Sequence, residues 1–141
     1  MAGTVREAMT PDPVEVSPDQ TLVEVGRLMR DHGVGAVLVT DGGQLRGIVT
    51  DRDIVVRAVA EGLDPQRETV DTVFSGQDLV TVTPDTPMDD AVDLMRRNAV
   101  RRLPVVDDGG RPVGIVSIGD LAIEGDGESA LADISAAPPN E

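Results

Sequence analysis

At 141 residues the chain is long enough for one cooperative globule, or two very small units sharing a core, and too short for two enzyme-sized domains. It contains no cysteine, which excludes disulfides, thiolate metal sites and a thiol nucleophile, and its formal charge of -14 disfavours nucleic acid and acidic lipid headgroups as partners. Phe74 is the sole aromatic residue, so the core is expected to be aliphatic and a base-stacking platform is absent.

The opening MAGTVREAMTPDP places Arg6 and Glu7 near the start and lacks the apolar stretch of a secretory signal. The longest apolar run, around Val34 to Val39, is about six residues, against roughly 18 to 20 for a bilayer span. A cytoplasmic location without a membrane span is therefore expected. All twelve basic residues are arginine, which suits bidentate contacts to phosphate or carboxylate wherever they cluster.

In chain order, Val14-Glu15-Val16 alternates like a short strand and stops at Ser17-Pro18. Leu22, Val25, Leu28 and Met29 then lie on one helical face, with His32 placed to interact with the helix C-terminus. Ala36 to Thr40 is an apolar run ending at the hairpin signal Asp41-Gly42-Gly43, and a second strand returns through Leu45 to Val49. A helix is predicted from Thr50 or Asp51 to about Glu61, with Gly62 as its terminator.

The same order then returns. Val14 to Asp41 matches Val80 to Asp107 at an offset of 66; after one inserted residue near Gly109-Gly110 the offset is 67, so Gly47-Ile48-Val49-Thr50 falls on Gly114-Ile115-Val116-Ser117 and Asp53 on Asp120. Met88, Ala91, Val92 and Met95 form the second helical stripe, and Arg102 to Val106 and Val113 to Val116 the second hairpin. The last helix is predicted to be short, interrupted by Gly125 and Gly127. The reading is α+β, two βαββα repeats at 4–64 and 65–124 followed by a flexible tail at 125–141. Neither half has the length for a solitary core, so the two sheets are expected to pack face to face with pseudo-two-fold symmetry.

The paired GIVTDRD and GIVSIGD motifs, each preceded by a hairpin carrying VGAVLV or VRRLPVV, resemble the tandem CBS domain, or Bateman module, over about residues 4 to 124. That resemblance implies a CBS-domain pair whose inter-repeat cleft binds AMP, ADP, ATP or S-adenosylmethionine as a regulatory ligand, with no cofactor required. Asp53 and Asp120 match the family aspartate that accepts hydrogen bonds from the ribose diol, and Thr50 and Ser117 match the hydroxyl beside it. One implied site combines Thr50 and Asp53 with Val80, Val100 and Arg101; the other combines Ser117 and Asp120 with Val14, Val34 and Gly35. Arg101 and Arg102 stand where the first copy has Gly35 and Ala36, so the site using Asp53 is expected to take phosphate. A homodimer formed through the helices and an unidentified effector protein are also implied.

Thr50-x-x-Asp53 and Ser117-x-x-Asp120 equally have the form of a helix capping box, which serves structure alone. The alternative function is accordingly a ligand-free, stress-associated interaction protein acting through homodimerisation and partner binding. With one isolated histidine, no GxSxG or GxxxxGK[ST] motif and no metal-ligand cluster in the sequence, a non-catalytic role is expected.

Overall fold

A proline two residues past Val16 and Val82 ends each short leading strand, and a computed structural model, which describes residues 3–74, 76 and 79–125, follows that punctuation. Its elements in chain order are α1 (Val5–Ala8), β1 (Thr10–Pro11), β2 (Glu15–Val16), α2 (Leu22–His32), β3 (Ala36–Asp41), β4 (Gln44–Thr50) and α3 (Asp51–Ile54). The chain continues as a π-helical segment (Val55–Val59), a 3-10 turn (Val70–Thr72), α4 (Met88–Asn98), β5 (Arg102–Val106), β6 (Pro112–Ser117) and α5 (Ile118–Gly125). These elements group into two compact units, Pro13–Leu79 and Met1–Asp12 with Val80–Glu141.

In the unit Pro13–Leu79 the sheet order is β2-β3-β4, with β2 parallel to β3 and β3 antiparallel to β4. Asp41 pairs with Gln44 across Gly42 and Gly43, whose φ values of 61° and 80° give the left-handed pair that a tight two-residue hairpin demands. Thr21 and Glu24 form a capping box at the start of α2, and the helix ends on Gly33 at φ 65°. The apolar stripe of α2 buries Leu22, Val25 and Met29 in one cluster with Val37, Val39 and Val49, while Leu28 packs at its margin. Each fully buried aliphatic side chain of this kind contributes on the order of 1.5–3 kcal/mol.

The other unit repeats this plan. Residues Met88–Asn98 of α4 stand at the predicted offset from Leu22–His32, and Met88, Ala91 and Met95 are buried with Leu103, Val105 and Val116. Val82 bridges Val105 in parallel as Val16 pairs with Val39, so the strand predicted at Val80 to Val82 is reduced to a single bridge. Both hairpins carry an irregularity at the same place, between Val39 and Thr40 and between Val105 and Val106. The final helix spans Ile118–Gly125; Gly127 and the tail from residue 126 on lie outside the described residues.

The helix predicted to run to Glu61 is α-helical only over Asp51–Ile54 and then widens, with the Ala60 N–H donating to the Val55 carbonyl at 2.8 Å. Ile54-Val55-Val56 is a β-branched run of reduced helix propensity, and here the chain takes the wider turn.

Each unit is completed by a short segment whose position the repeat pattern did not reveal. Val5 N–H donates to Thr86 O at 2.8 Å and Arg6 N–H to Pro84 O at 2.9 Å. In the other unit Val70 N–H donates to Gln20 O and Asp71 N–H to Pro18 O, both at 2.9 Å. Thr4 bridges Pro87 as Thr69 bridges Thr21, and Val5 and Val70 are both fully buried. Thus α1 does for the unit containing residues 80–125 what the 3-10 turn does for residues 13–79. β1 extends that sheet to β1-β6-β5 through Thr10↔Ile115 and Pro11↔Gly114, an edge position that proline tolerates.

Candidate functional site

β4 ends at Thr50 in extended conformation, and the helical turn beginning at Asp51 brings the side chain three residues on back over that end. Asp53 Oδ2 accepts the Thr50 N–H at 2.9 Å, and Thr50 Oγ1 accepts the Asp53 N–H at 3.1 Å. The junction of β6 and α5 reproduces the arrangement: Asp120 Oδ2 accepts the Ser117 N–H at 2.9 Å and Ser117 Oγ accepts the Asp120 N–H at 3.1 Å. Both pairs therefore cap their helices, as their spacing allowed. Capping occupies Oδ2 in each case and leaves Oδ1, which an ionised carboxylate can use to accept further hydrogen bonds.

The two corners differ in what surrounds them. The Asp53 side chain is 17% exposed, and Arg57, one helical turn on and 51% exposed, places Nε 3.9 Å from Asp53 Oδ1. Arg57 Nη1 also donates to the Val73 carbonyl at 3.2 Å. Asp120 Oδ1 has no such cation among the described residues, and the residue four positions after Asp120 is Glu124.

The unit Pro13–Leu79 brings Val14, Val34, Gly35, Thr50 and Asp53 together at one end of its sheet. Ala36 pairs with Thr50, the Asp51 N–H donates to Gly35 O at 3.0 Å, and the Leu38 N–H donates to Val14 O at 2.9 Å. The other unit gathers Val100, Arg101, Arg102, Ser117 and Asp120, with Arg102 paired to Ser117 and the Ile118 N–H donating to Arg101 O at 2.8 Å, while Val80 packs against that unit's core cluster. Val34 and Val100 are matched exposed apolar residues, each donating its N–H to a helix methionine carbonyl, Met29 or Met95. Arg57 had not been singled out from the sequence; its i,i+4 spacing from Asp53 is the signal that finds it.

A separate concavity of about 360 Å³, lined by Pro18, Asp19, Asp41, Arg46, Thr69, Asp71 and Phe74, lies at the hairpin end of β3 and β4. Arg46 is four residues from Thr50, about 13 Å along the strand, and none of the site residues expected from the sequence lines this concavity. A hydrogen bond from the Ser17 hydroxyl holds the Asp19 carboxyl below its ordinary pKa.

Two hairpins, each leading into a hydroxyl–carboxylate corner, are matched by comparison with known proteins, where residues 5–59 and 72–125 fit the family model described as CBS domain. The chain belongs to the CBS-domain family. It is 44% identical over 120 residues to the CBS domain-containing protein YhcV of Bacillus subtilis, covering 85% of this chain and 84% of that protein. It is 33% identical over 120 residues to Hypoxic response protein 1 of Mycobacterium tuberculosis (strain ATCC 25618 / H37Rv), covering 84% of this chain and 82% of that one. The solved CBS domain pair of protein MJ0100, in complex with 5'-methylthioadenosine and S-adenosyl-L-methionine, is similar at a TM-score of 0.76 and 26% identity, covering 85% of this chain and 97% of that one. In this CBS pair no helix among the described residues is long and apolar enough to cross a membrane. Nor could any group of three or more His, Asp or Glu side chains among those residues hold a metal ion.

Proposed function

We propose that this CBS pair is a non-catalytic regulatory module that senses an adenosine-type ligand, namely AMP, ADP, ATP or S-adenosylmethionine. The observation that carries the reading is the duplicated corner, in which each aspartate is fixed through Oδ2 and its Oδ1 is not used by the cap. A carboxylate oxygen held in this way can accept from the vicinal hydroxyls of a ribose at little cost in side-chain entropy. Val14, Val34, Val80 and Val100 supply apolar surface of the kind an adenine ring requires, Gly35 leaves room for it, and Arg101 and Arg102 supply donors for phosphate. The ligands bound by MJ0100 support the same ligand class. Binding to one conformation would shift the population read by an effector protein in the cytoplasm.

Thermal unfolding in the presence of each of the four ligands at millimolar concentration tests the proposal. A ligand at about 100 times its Kd adds roughly 2.7 kcal/mol, which is several degrees for a chain of this size. If none of the four raises the unfolding temperature, the sensor reading fails.

A second reading, a ligand-free interaction protein acting through homodimerisation and partner binding, is favoured by one observation. Val55, Val56 and Val59 are 55%, 47% and 57% exposed on a single helical segment. Apolar side chains grouped in this way suit association. This reading predicts a dimer by analytical ultracentrifugation that Val55→Glu/Val59→Glu dissociates, together with no thermal shift from any adenosine compound.

A further inference from the structure

Arg57 is oriented by two contacts, Nε toward Asp53 Oδ1 at 3.9 Å and Nη1 on the Val73 carbonyl at 3.2 Å, and it remains half exposed. Its Nη2 has no protein partner among the described residues. Beside it Asp53 Oδ1 is unused by the cap and meets Arg57 only at ion-pair distance, so the corner presents a carboxylate oxygen that can still accept hydrogen bonds next to a pre-oriented donor. Such a pair complements a ligand that carries hydroxyl donors at one end and an anionic acceptor at the other.

The field of the rest of the chain makes this arrangement consequential. A formal charge of -14 opposes any anionic ligand, and Asp53 itself adds a negative charge where the ligand would sit. Accepting phosphate there requires a local cation. Arg57 supplies one already held by the protein, so less entropy is lost when it engages a ligand than for a free side chain. At the equivalent helical position after Asp120 the residue is Glu124, so this cation is not duplicated.

Resting on the ligand reading above, we infer that Arg57 is a specificity-determining residue that makes the Asp53 corner select a phosphorylated nucleoside over the free nucleoside. The guanidinium donates through Nη2 to the phosphate while Asp53 Oδ1 accepts from the ribose.

An NMR titration of the intact chain, following the Thr50 and Asp53 amides so that this corner alone is read, compares AMP with adenosine in wild type and Arg57→Met. A charge-assisted hydrogen bond gives AMP an advantage of about tenfold or more in wild type, and Arg57→Met reduces it to within about threefold by weakening AMP more than adenosine. The inference is overturned if wild type shows no AMP preference, if the preference survives in Arg57→Met, or if adenosine weakens as much as AMP. In the last case Arg57 only orients Asp53. If neither ligand moves these amides in wild type, the ligand reading itself fails and this inference with it. Should Arg57→Met not fold, Arg57→Gln, which retains a donor for the Val73 carbonyl, decides by the same ratio.

Discussion

Asp53 and Thr50 hold each other by two hydrogen bonds, the Thr50 amide donating to the Asp53 carboxylate at 2.9 Å and the Asp53 amide to the Thr50 hydroxyl at 3.1 Å, before any ligand is considered. Glutamate is a good residue at this third helical position, so Asp53→Glu should unfold within about 0.5 kcal/mol of wild type, and Asp53→Ala should lose about 1 kcal/mol. Urea denaturation measures both. Equal losses in the two variants would show that the pair does not act as a cap.

The two long helices end on different residues in the same left-handed conformation, Gly33 at φ 65° and Ala99 at φ 54°. A side chain at Gly33 would meet nothing within 4 Å, so the cost of Gly33→Ala is conformational and should be about 1 kcal/mol. Ala99→Gly should change stability in the opposite direction by about 0.5 kcal/mol, reduced by the greater freedom glycine gives the unfolded chain. Chemical denaturation of the two variants should therefore move the midpoints in opposite senses.

Val5 and Val70 are fully buried in separate units and make corresponding backbone hydrogen bonds. Val5→Ala and Val70→Ala should each cost about 2 kcal/mol by loss of buried methyls. Arg6→Ala, beside Val5, removes only the exposed ion pair to Asp85 at 2.8 Å and should cost no more than about 0.5 kcal/mol. A neutral Val5→Ala in a thermal melt would mean that α1 is not part of the core.

Gly114 and Gly26 should respond oppositely to alanine. A Cβ on Gly114 would lie 2.8 Å from the Thr10 carbonyl oxygen and 2.9 Å from Met9 Sδ, so it must displace β1, at about 1–3 kcal/mol. A Cβ on Gly26, inside α2, meets nothing within 4 Å, and Gly26→Ala should stabilise by about 0.5–1 kcal/mol. Differential scanning calorimetry of both variants settles the signs.

The features legible in the sequence are those encoded locally. The apolar stripes placed α2 and α4, the Asp-Gly turns placed both hairpins, and hydroxyl and carboxylate three residues apart located both corners, because each pattern repeats within one or two turns of chain. The seating of Val5 beside Thr86 was not legible, since it depends on partners about 80 residues apart and on a two-residue echo, Thr4-Val5 and Thr69-Val70, too short to stand out. The wide turn at Val55–Val59 was hidden because a five-residue segment is about one π-helical turn, too short to show a period distinct from that of an α-helix. Arg57 resembled an ordinary solvated charge until its contacts with Asp53 and Val73 were placed.

Isothermal titration of AMP, ADP, ATP and S-adenosylmethionine into the intact chain, beside the Asp53→Glu/Asp120→Glu variant, bears most directly on the sensor function. Wild type should give saturable heat with at least one of the four at a Kd below about 1 mM, and the folded variant should bind that ligand at least about tenfold more weakly, since an added methylene crowds the ribose while the caps persist. Absence of saturable heat from all four with wild type, or undiminished binding by the variant, would contradict it.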